Sequence, residues 1–125
     1  MNLLIAEDER INQLYLSHLL KRAGHYVVIA SDGEAVLEAL REHSFDAILM
    51  DIEMPKIDGA EATRRIRAGQ SGMTSRSVPI IALSAHSAAC DHEAFLAAGA
   101  SDVLTKPVDE HDLLSRLDRI GDGVR

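Results

Sequence analysis

The sequence predicts an α/β domain: a doubly wound, five-stranded parallel sheet of strand order 2-1-3-4-5 with helices on both faces. Three observations predict it. Short apolar runs alternate with amphipathic segments five times along the 125 residues, the pattern of a parallel sheet joined by crossover helices. The runs are nearly all apolar, as expected of strands covered by helices on both faces. Right-handed crossovers then leave few topologies, and the common five-strand order has its switch point between strands 1 and 3.

Each element can be read in turn. Leu3 to Ala6 is an apolar run ending in Glu7-Asp8-Glu9 and forms the first strand. Leu16, Leu19, Leu20 and Ala23 recur at helical spacing, with Gly24 as the C-terminal cap. Tyr26 to Ala30 is rich in β-formers and ends at the turn signal Ser31-Asp32-Gly33. Val36, Ala39 and Leu40 mark a second helix, and Ala47 to Met50 is the third strand, ending at Asp51. Asp58-Gly59 opens a third helix carrying Ala62 and Ile66, with Arg64, Arg65 and Arg67 on its flank to complement the helix dipole. The Gly- and Ser-rich stretch 69–77 reads as a surface loop. Val78 to Leu83 is the fourth strand, ending at Ser84; Ser87 caps a helix to about Ala98, with Gly99 at its end. Val103 to Thr105 is a short fifth strand ending at Lys106-Pro107, and Asp109 caps a last helix with Leu113, Leu117 and Ile120 on one face. The arrangement is flavodoxin-like, and no repeat or linker divides it, so residues 1–125 are expected to form one domain.

Composition narrows the function. Net charge is −7 and aromatic content only 3%, which argues against a basic nucleic-acid face or a base-stacking platform. No run approaches the roughly 20 apolar residues that span a bilayer, and no signal peptide precedes the first strand, so membrane contact is not expected and the cytoplasm is the default compartment. The lone Cys90 excludes an internal disulfide. His86, Cys90 and His92 cluster in sequence, but structural zinc wants four such ligands and no fourth lies near. His18, His25, His43 and His111 read as helix-surface or loop residues.

Ligands of doubly wound sheets bind beyond the carboxyl ends of the strands at the switch point. There, strand 1 delivers Glu7 and Asp8, strand 3 delivers Asp51, and strands 4 and 5 deliver Ser84 and Lys106. Each alone is equally well a turn cap or a solvated group; their joint placement after four strands favours a shared site. Three carboxylates in one crevice repel, and a hard divalent cation relieves this. A cation (Mg²⁺, with Mn²⁺ as a substitute), a nucleophilic carboxylate, a hydroxyl and an ammonium suit phosphoryl transfer through an acyl phosphate.

At these residues the chain resembles the receiver domain of two-component response regulators over about Leu3 to Leu117. The resemblance rests on Glu7-Asp8, Met50-Asp51-Ile52-Glu53-Met54-Pro55 with Asp58-Gly59, Ala82-Leu83-Ser84-Ala85, and Leu104-Thr105-Lys106-Pro107. It implies Asp51 as phosphoacceptor, Asp8 as a metal ligand beside it, Glu7 assisting through water, and the main-chain carbonyl of Glu53 as a further ligand. Ser84 and Lys106 would hold the phosphoryl oxygens, and the Lys106-Pro107 bond would be cis. The donor would be a phosphohistidine on a sensor histidine kinase or a histidine phosphotransfer domain. Asn12, the segment 61–67 and the segment 79–86 look most like receivers of hybrid sensor kinases, so a module of a larger multidomain protein is expected, with a free-standing receiver as the alternative. Glu53 and His86 stand at the crevice rim, where the family tunes loss of the phosphoryl group; either is equally well a plain solvent-facing residue. One departure is Val103, where many receivers carry an inward-turning aromatic. The alternative function is an aspartyl-phosphate phosphohydrolase of haloacid dehalogenase type. That group wants a second Asp two residues after its nucleophile, where this chain has Glu53, and a cap domain that this chain lacks. A degenerate receiver that only binds is disfavoured by the intact Glu7, Asp8, Asp51, Ser84 and Lys106.

Overall fold

The chain was analysed as a computed structural model, which describes residues 1–52, 54, 56–69, 72, 77–84 and 89–124, the segments 89–92 and 121–124 by backbone alone. Five strands, β1 (Asn2–Ala6), β2 (Tyr26–Ala30), β3 (Ala47–Asp51), β4 (Ile80–Ser84) and β5 (Asp102–Thr105), alternate with five helices, α1 (Arg10–Arg22), α2 (Gly33–Glu42), α3 (Gly59–Arg67), α4 (Ala89–Ala98) and α5 (Glu110–Val124). All strands are parallel, in the order β2-β1-β3-β4-β5. β1 and β3 pair with Leu3 beside Ala47 and Ala6 beside Met50, so both strands leave the sheet at the same level. That register brings the residues after Ala6 next to Asp51.

Side chains alternate across the sheet. On one face Leu4, Ala6, Ile48 and Met50 pack under α2 and α3; on the other, Leu3, Ile5, Leu49, Ile81 and Leu83 pack under α1 and α5. Local signals start α1, α2, α3 and α5. Glu9 caps α1 by accepting from the amides of Ile11 and Asn12, Asp32 caps α2 through Ala35, and Asp58 caps α3 through Glu61. The carboxylate of Asp109 accepts from the amide of Asp112 at the start of α5. Gly24 and Gly99 take the left-handed conformation expected after a helix.

Several sequence expectations need correction. β2 is an edge strand and is not covered on both faces: Tyr26 is 78% exposed, and Val28 and Ile29 are also exposed. Ala23 caps α1 on its exposed side rather than facing the core; Ser17 takes the buried place in the preceding turn. β4 begins at Ile80 rather than Val78, because Pro79 has no amide to give the ladder and only its carbonyl is used, by Ile48. Asp51 and Ser84 are the last residues of their strands rather than the first of their loops. Arg67 does not merely flank α3. Its guanidinium donates to the carbonyls of Gly99 at 2.8 Å and Val78 at 2.7 Å, tying α3 to the strand entrances of β4 and β5; burial lowers its pKa. Ser87, Glu53 and the zinc candidates His86, Cys90 and His92 lie outside the residues whose side chains are described.

Two glycines set how closely the loops approach the sheet. A Cβ at Gly33 would lie 2.1 Å from the carbonyl oxygen of Ile57, and one at Gly59 would lie 2.2 Å from the carbonyl oxygen of Asp51. Neither obstacle is a flexible side chain. Gly33→Ala is therefore expected to cost about 1–3 kcal/mol of stability, read as a lower urea midpoint at unchanged slope; an unshifted midpoint would show that the β3–α3 loop yields freely.

Candidate phosphoryl-transfer site

The site is built from strand ends. Glu7 follows β1 and its amide donates to Ala30 at the end of β2. Asp51 closes β3. Ser84 closes β4, and its carbonyl accepts from the Lys106 amide at 2.7 Å, so the main chains that carry the hydroxyl and the ammonium are tied together. Glu7, Asp51 and Ser84 are buried, and Asp8 is exposed at the mouth. Lys106 reaches across the end of β4 and places its ammonium 3.2 Å from Glu7 Oε2 and 3.1 Å from Asp51 Oδ2. The structure thus brings the side chains of Glu7, Asp8, Asp51 and Lys106 together and buries Ser84 at the end of the adjoining strand, while Glu53 lies outside the described residues.

Oxygens of Glu7, Asp8 and Asp51 all lie within 4.8 Å of one another. Three carboxylate oxygens at that separation are a hard donor set with room for a cation between them, and they fit a divalent ion of the Mg²⁺ type. The electrostatics show why one is wanted. Burial raises the pKa of Glu7, and neighbouring Asp51 raises it further; the Asn12 amide and the Lys106 charge oppose this without cancelling it. Burial would also lower the pKa of Lys106, but Asp51 and then Glu7 outweigh it, so the ammonium is held more firmly than a free lysine. One cation is shared by two buried carboxylates, and Asp8 adds a third acidic group.

Several participants were not read from the sequence. Asn12 Nδ2 donates to Glu7 Oε1 at 3.0 Å, and Gln13 Nε2 donates to the Glu7 carbonyl at 2.6 Å and to Ser31 Oγ at 3.2 Å. Lys56, in the loop after Asp51, has φ of 67°, uncommon for a side chain other than glycine; its ammonium lies 3.6 Å from Asp32 and 3.5 Å from Glu34. Tyr15 donates its hydroxyl to the Val108 carbonyl at 2.9 Å, closing α1 over the turn after Lys106. Of the four side chains, only Asn12 gave a sequence signal, through the family likeness. The Lys106-Pro107 bond, by contrast, is cis as the family resemblance implies.

A doubly wound parallel sheet with carboxylates, a hydroxyl and an ammonium converging at its switch point defines a domain whose chemistry sits on its strand tips. The chain belongs to the response regulator receiver domain family, whose model matches residues 3–118. It is 39% identical over 110 residues to the sensor protein GacS of Pseudomonas syringae pv. syringae, covering 88% of this chain and 12% of that protein. The chain therefore spans about an eighth of the length of that relative. Among solved structures it is similar to the receiver domain of the sensor histidine kinase PA1611 from Pseudomonas aeruginosa PAO1, crystallised with magnesium coordinated in its active-site cleft. Identity is 40%, TM-score 0.86, and coverage 96% of this chain and 97% of that one. It is also similar to the receiver domain of Ssk1 of Saccharomyces cerevisiae, solved with the histidine phosphotransfer protein Ypd1 (31% identity, TM-score 0.83, coverage 93% and 85%). The chain is accordingly a phosphoacceptor signalling module of the two-component type, and the haloacid dehalogenase alternative finds no support. No helix among the described residues is long and apolar enough to cross a membrane.

Because burial and Asp51 penalise the charged form of Glu7, removing its charge should help the metal-free fold. Glu7→Gln in chelator is expected to raise unfolding stability by about 0.5–2 kcal/mol, the range of a relieved functional-site conflict. Chemical denaturation at neutral pH checks this; a loss of stability would mean that Lys106 already satisfies both carboxylates.

Proposed function

We propose that Asp51 is the phosphoacceptor and that the chain takes its phosphoryl group from a phosphohistidine on a sensor histidine kinase or a histidine phosphotransfer domain. The observation that carries this reading is the convergence of Glu7, Asp8 and Asp51 within 4.8 Å, with Lys106 on Asp51. An Asp51 carboxylate oxygen bonds to phosphorus as the phosphorus–nitrogen bond breaks, and the imidazole leaves with the electron pair and takes up a proton. Asp8 and Asp51 would hold Mg²⁺ (Mn²⁺ substituting), with Glu7 assisting; the Glu53 carbonyl that the family resemblance adds lies outside the described residues. When bound, the ion neutralises charge on the transferring oxygens. Ser84 and Lys106 bind those oxygens, the first through its hydroxyl and the second as a point charge.

The magnesium-bound PA1611 receiver supports the choice of metal, and the Ypd1 complex of the Ssk1 receiver supports the choice of partner. The likeness to part of GacS supports a receiver unit within a longer multidomain protein; we read residues 1–125 as that unit and place it in the cytoplasm. The module switches its surface for a partner or passes the phosphoryl group onward.

Intact mass after incubation with acetyl phosphate should show one added phosphoryl group in Mg²⁺, none in chelator, and none for Asp51→Asn in either. Full labelling of Asp51→Asn would remove Asp51 from the role. Lys106→Ala should still be labelled, slowly, while the spectral change that follows phosphorylation in the wild type is lost; a wild-type change would clear Lys106 of the switching role.

A further inference from the structure

We propose that Asn12 is a positioning residue for the cation site: its carboxamide fixes the Glu7 side chain, and through Glu7 it sets the affinity for Mg²⁺. The inference rests on the proposed function, since it takes the Glu7, Asp8 and Asp51 cluster as the place where the ion binds.

Glu7 is wholly buried, and both its carboxylate oxygens are engaged. Oε2 faces the Lys106 ammonium at 3.2 Å, and Oε1 accepts from Asn12 Nδ2 at 3.0 Å. The two donors are not equivalent. Lys106 is shared with Asp51 at 3.1 Å, and its ammonium is the group aimed at an incoming phosphoryl oxygen. As that charge arrives, Lys106 has a new partner and its hold on Glu7 weakens. Asn12 has no such second demand within the acidic cluster, so Glu7 keeps its orientation through Asn12.

The placement of Asn12 is itself well determined. It lies in the first turn of α1, and its backbone amide donates to Glu9 Oε2 at 2.8 Å, so the N-cap pins the residue that grips Glu7. The next residue completes the hold: Gln13 Nε2 donates to the Glu7 carbonyl at 2.6 Å. Adjacent amides on one helical turn thus take the main chain and the side chain of the same glutamate. The chemistry of the carboxamide also matters. A lysine in its place would compete with the cation for the site, an aspartate would add a fourth carboxylate, and an alkyl group would leave a buried oxygen unpaired. A neutral donor orients the carboxylate without changing the charge that the ion meets. Groups that orient metal-binding side chains from behind commonly change metal affinity by about 10–100-fold when removed.

The test is direct calorimetric titration of Mg²⁺ into the full unphosphorylated chain, with a double-mutant cycle. Asn12→Ala keeps α1, alanine being the best helix former; Asn12→Leu, closer in size, is the second variant, and chelator melts confirm that each folds. Either variant should weaken Mg²⁺ binding by about tenfold. In a Glu7→Ala background, which removes the acceptor of the Asn12 bond, the same change should have no further effect, because Asn12 acts through Glu7. Unchanged Mg²⁺ affinity in both single variants overturns the inference, as does a loss that persists in full without Glu7. A wild-type chain that binds no Mg²⁺ and is still labelled after Asp51→Asn overturns the proposed function, and this inference with it. A wild-type chain that binds Mg²⁺ and is labelled at Asp51, alongside an Asn12→Ala that binds as tightly, overturns the inference alone.

Discussion

One ammonium between two buried carboxylates is the constraint on which the rest depends. Lys106 Nζ lies 3.2 Å from Glu7 and 3.1 Å from Asp51. Unit charges about 4 Å apart interact by roughly 4 kcal/mol at the effective dielectric of a protein surface. Without the lysine the two carboxylates would oppose each other inside the fold, and one of them would be driven towards its protonated form. The sheet order makes this arrangement possible. β1 and β3 are neighbours and end level, so their acidic residues must meet; β5 is two strands from β3, so a long side chain is needed to reach back over β4. A shorter cation on β5 would not span that gap.

Main chain, rather than side-chain packing, holds the geometry. The Lys106 amide bonds to the Ser84 carbonyl, the Glu7 amide to Ala30, and Gly59 leaves no space between α3 and the Asp51 carbonyl. The loop after Asp51 is held from the other side, where Gly33 touches the backbone of Ile57 and the left-handed Lys56 is drawn to Asp32 and Glu34. A non-glycine residue in that conformation costs on the order of 1–3 kcal/mol. The surrounding contacts therefore select a loop shape that the local sequence alone would not favour.

What could be read in advance follows from how far each signal extends along the chain. β1, β3 and β4 announce themselves as unbroken apolar runs, and Glu7, Asp8, Asp51, Ser84 and Lys106 stand out because each comes where such a run stops. β2 carries an equally apolar run yet sits half in solvent, because burial at a sheet edge is decided by neighbours and not by the strand itself. Asn12, Gln13, Lys56 and Arg67 were illegible as contacts for the same reason. Arg67 reads as a dipole-complementing end residue until α3 is docked beside the turn at Gly99, and Lys56 reads as a solvated loop cation until α2 presents Asp32 and Glu34. Gly33 was legible as a turn residue, but its close approach to Ile57 joins two loops that only the fold brings together.

The same distinction explains why the site is arranged as two kinds of group. Ser84 and Lys106 leave neighbouring strands with their main chains tied through the β4–β5 ladder, where Ser84 stands beside Thr105, so hydroxyl and ammonium start from a fixed pair of Cα positions. The three carboxylates come from two strand ends: Glu7, buried and raised in pKa, and Asp8, exposed at the mouth, follow β1, while Asp51 closes β3 and shares the lysine with Glu7. A donor pair facing an electrostatically strained acidic set is asymmetric by construction. The acidic side is relieved by gaining positive charge, and the donor side by gaining negative oxygen. A cation and a phosphoryl group answer both demands together, which is how a fold that carries an unfavourable site in its metal-free form can hold that strain in reserve for the transfer step.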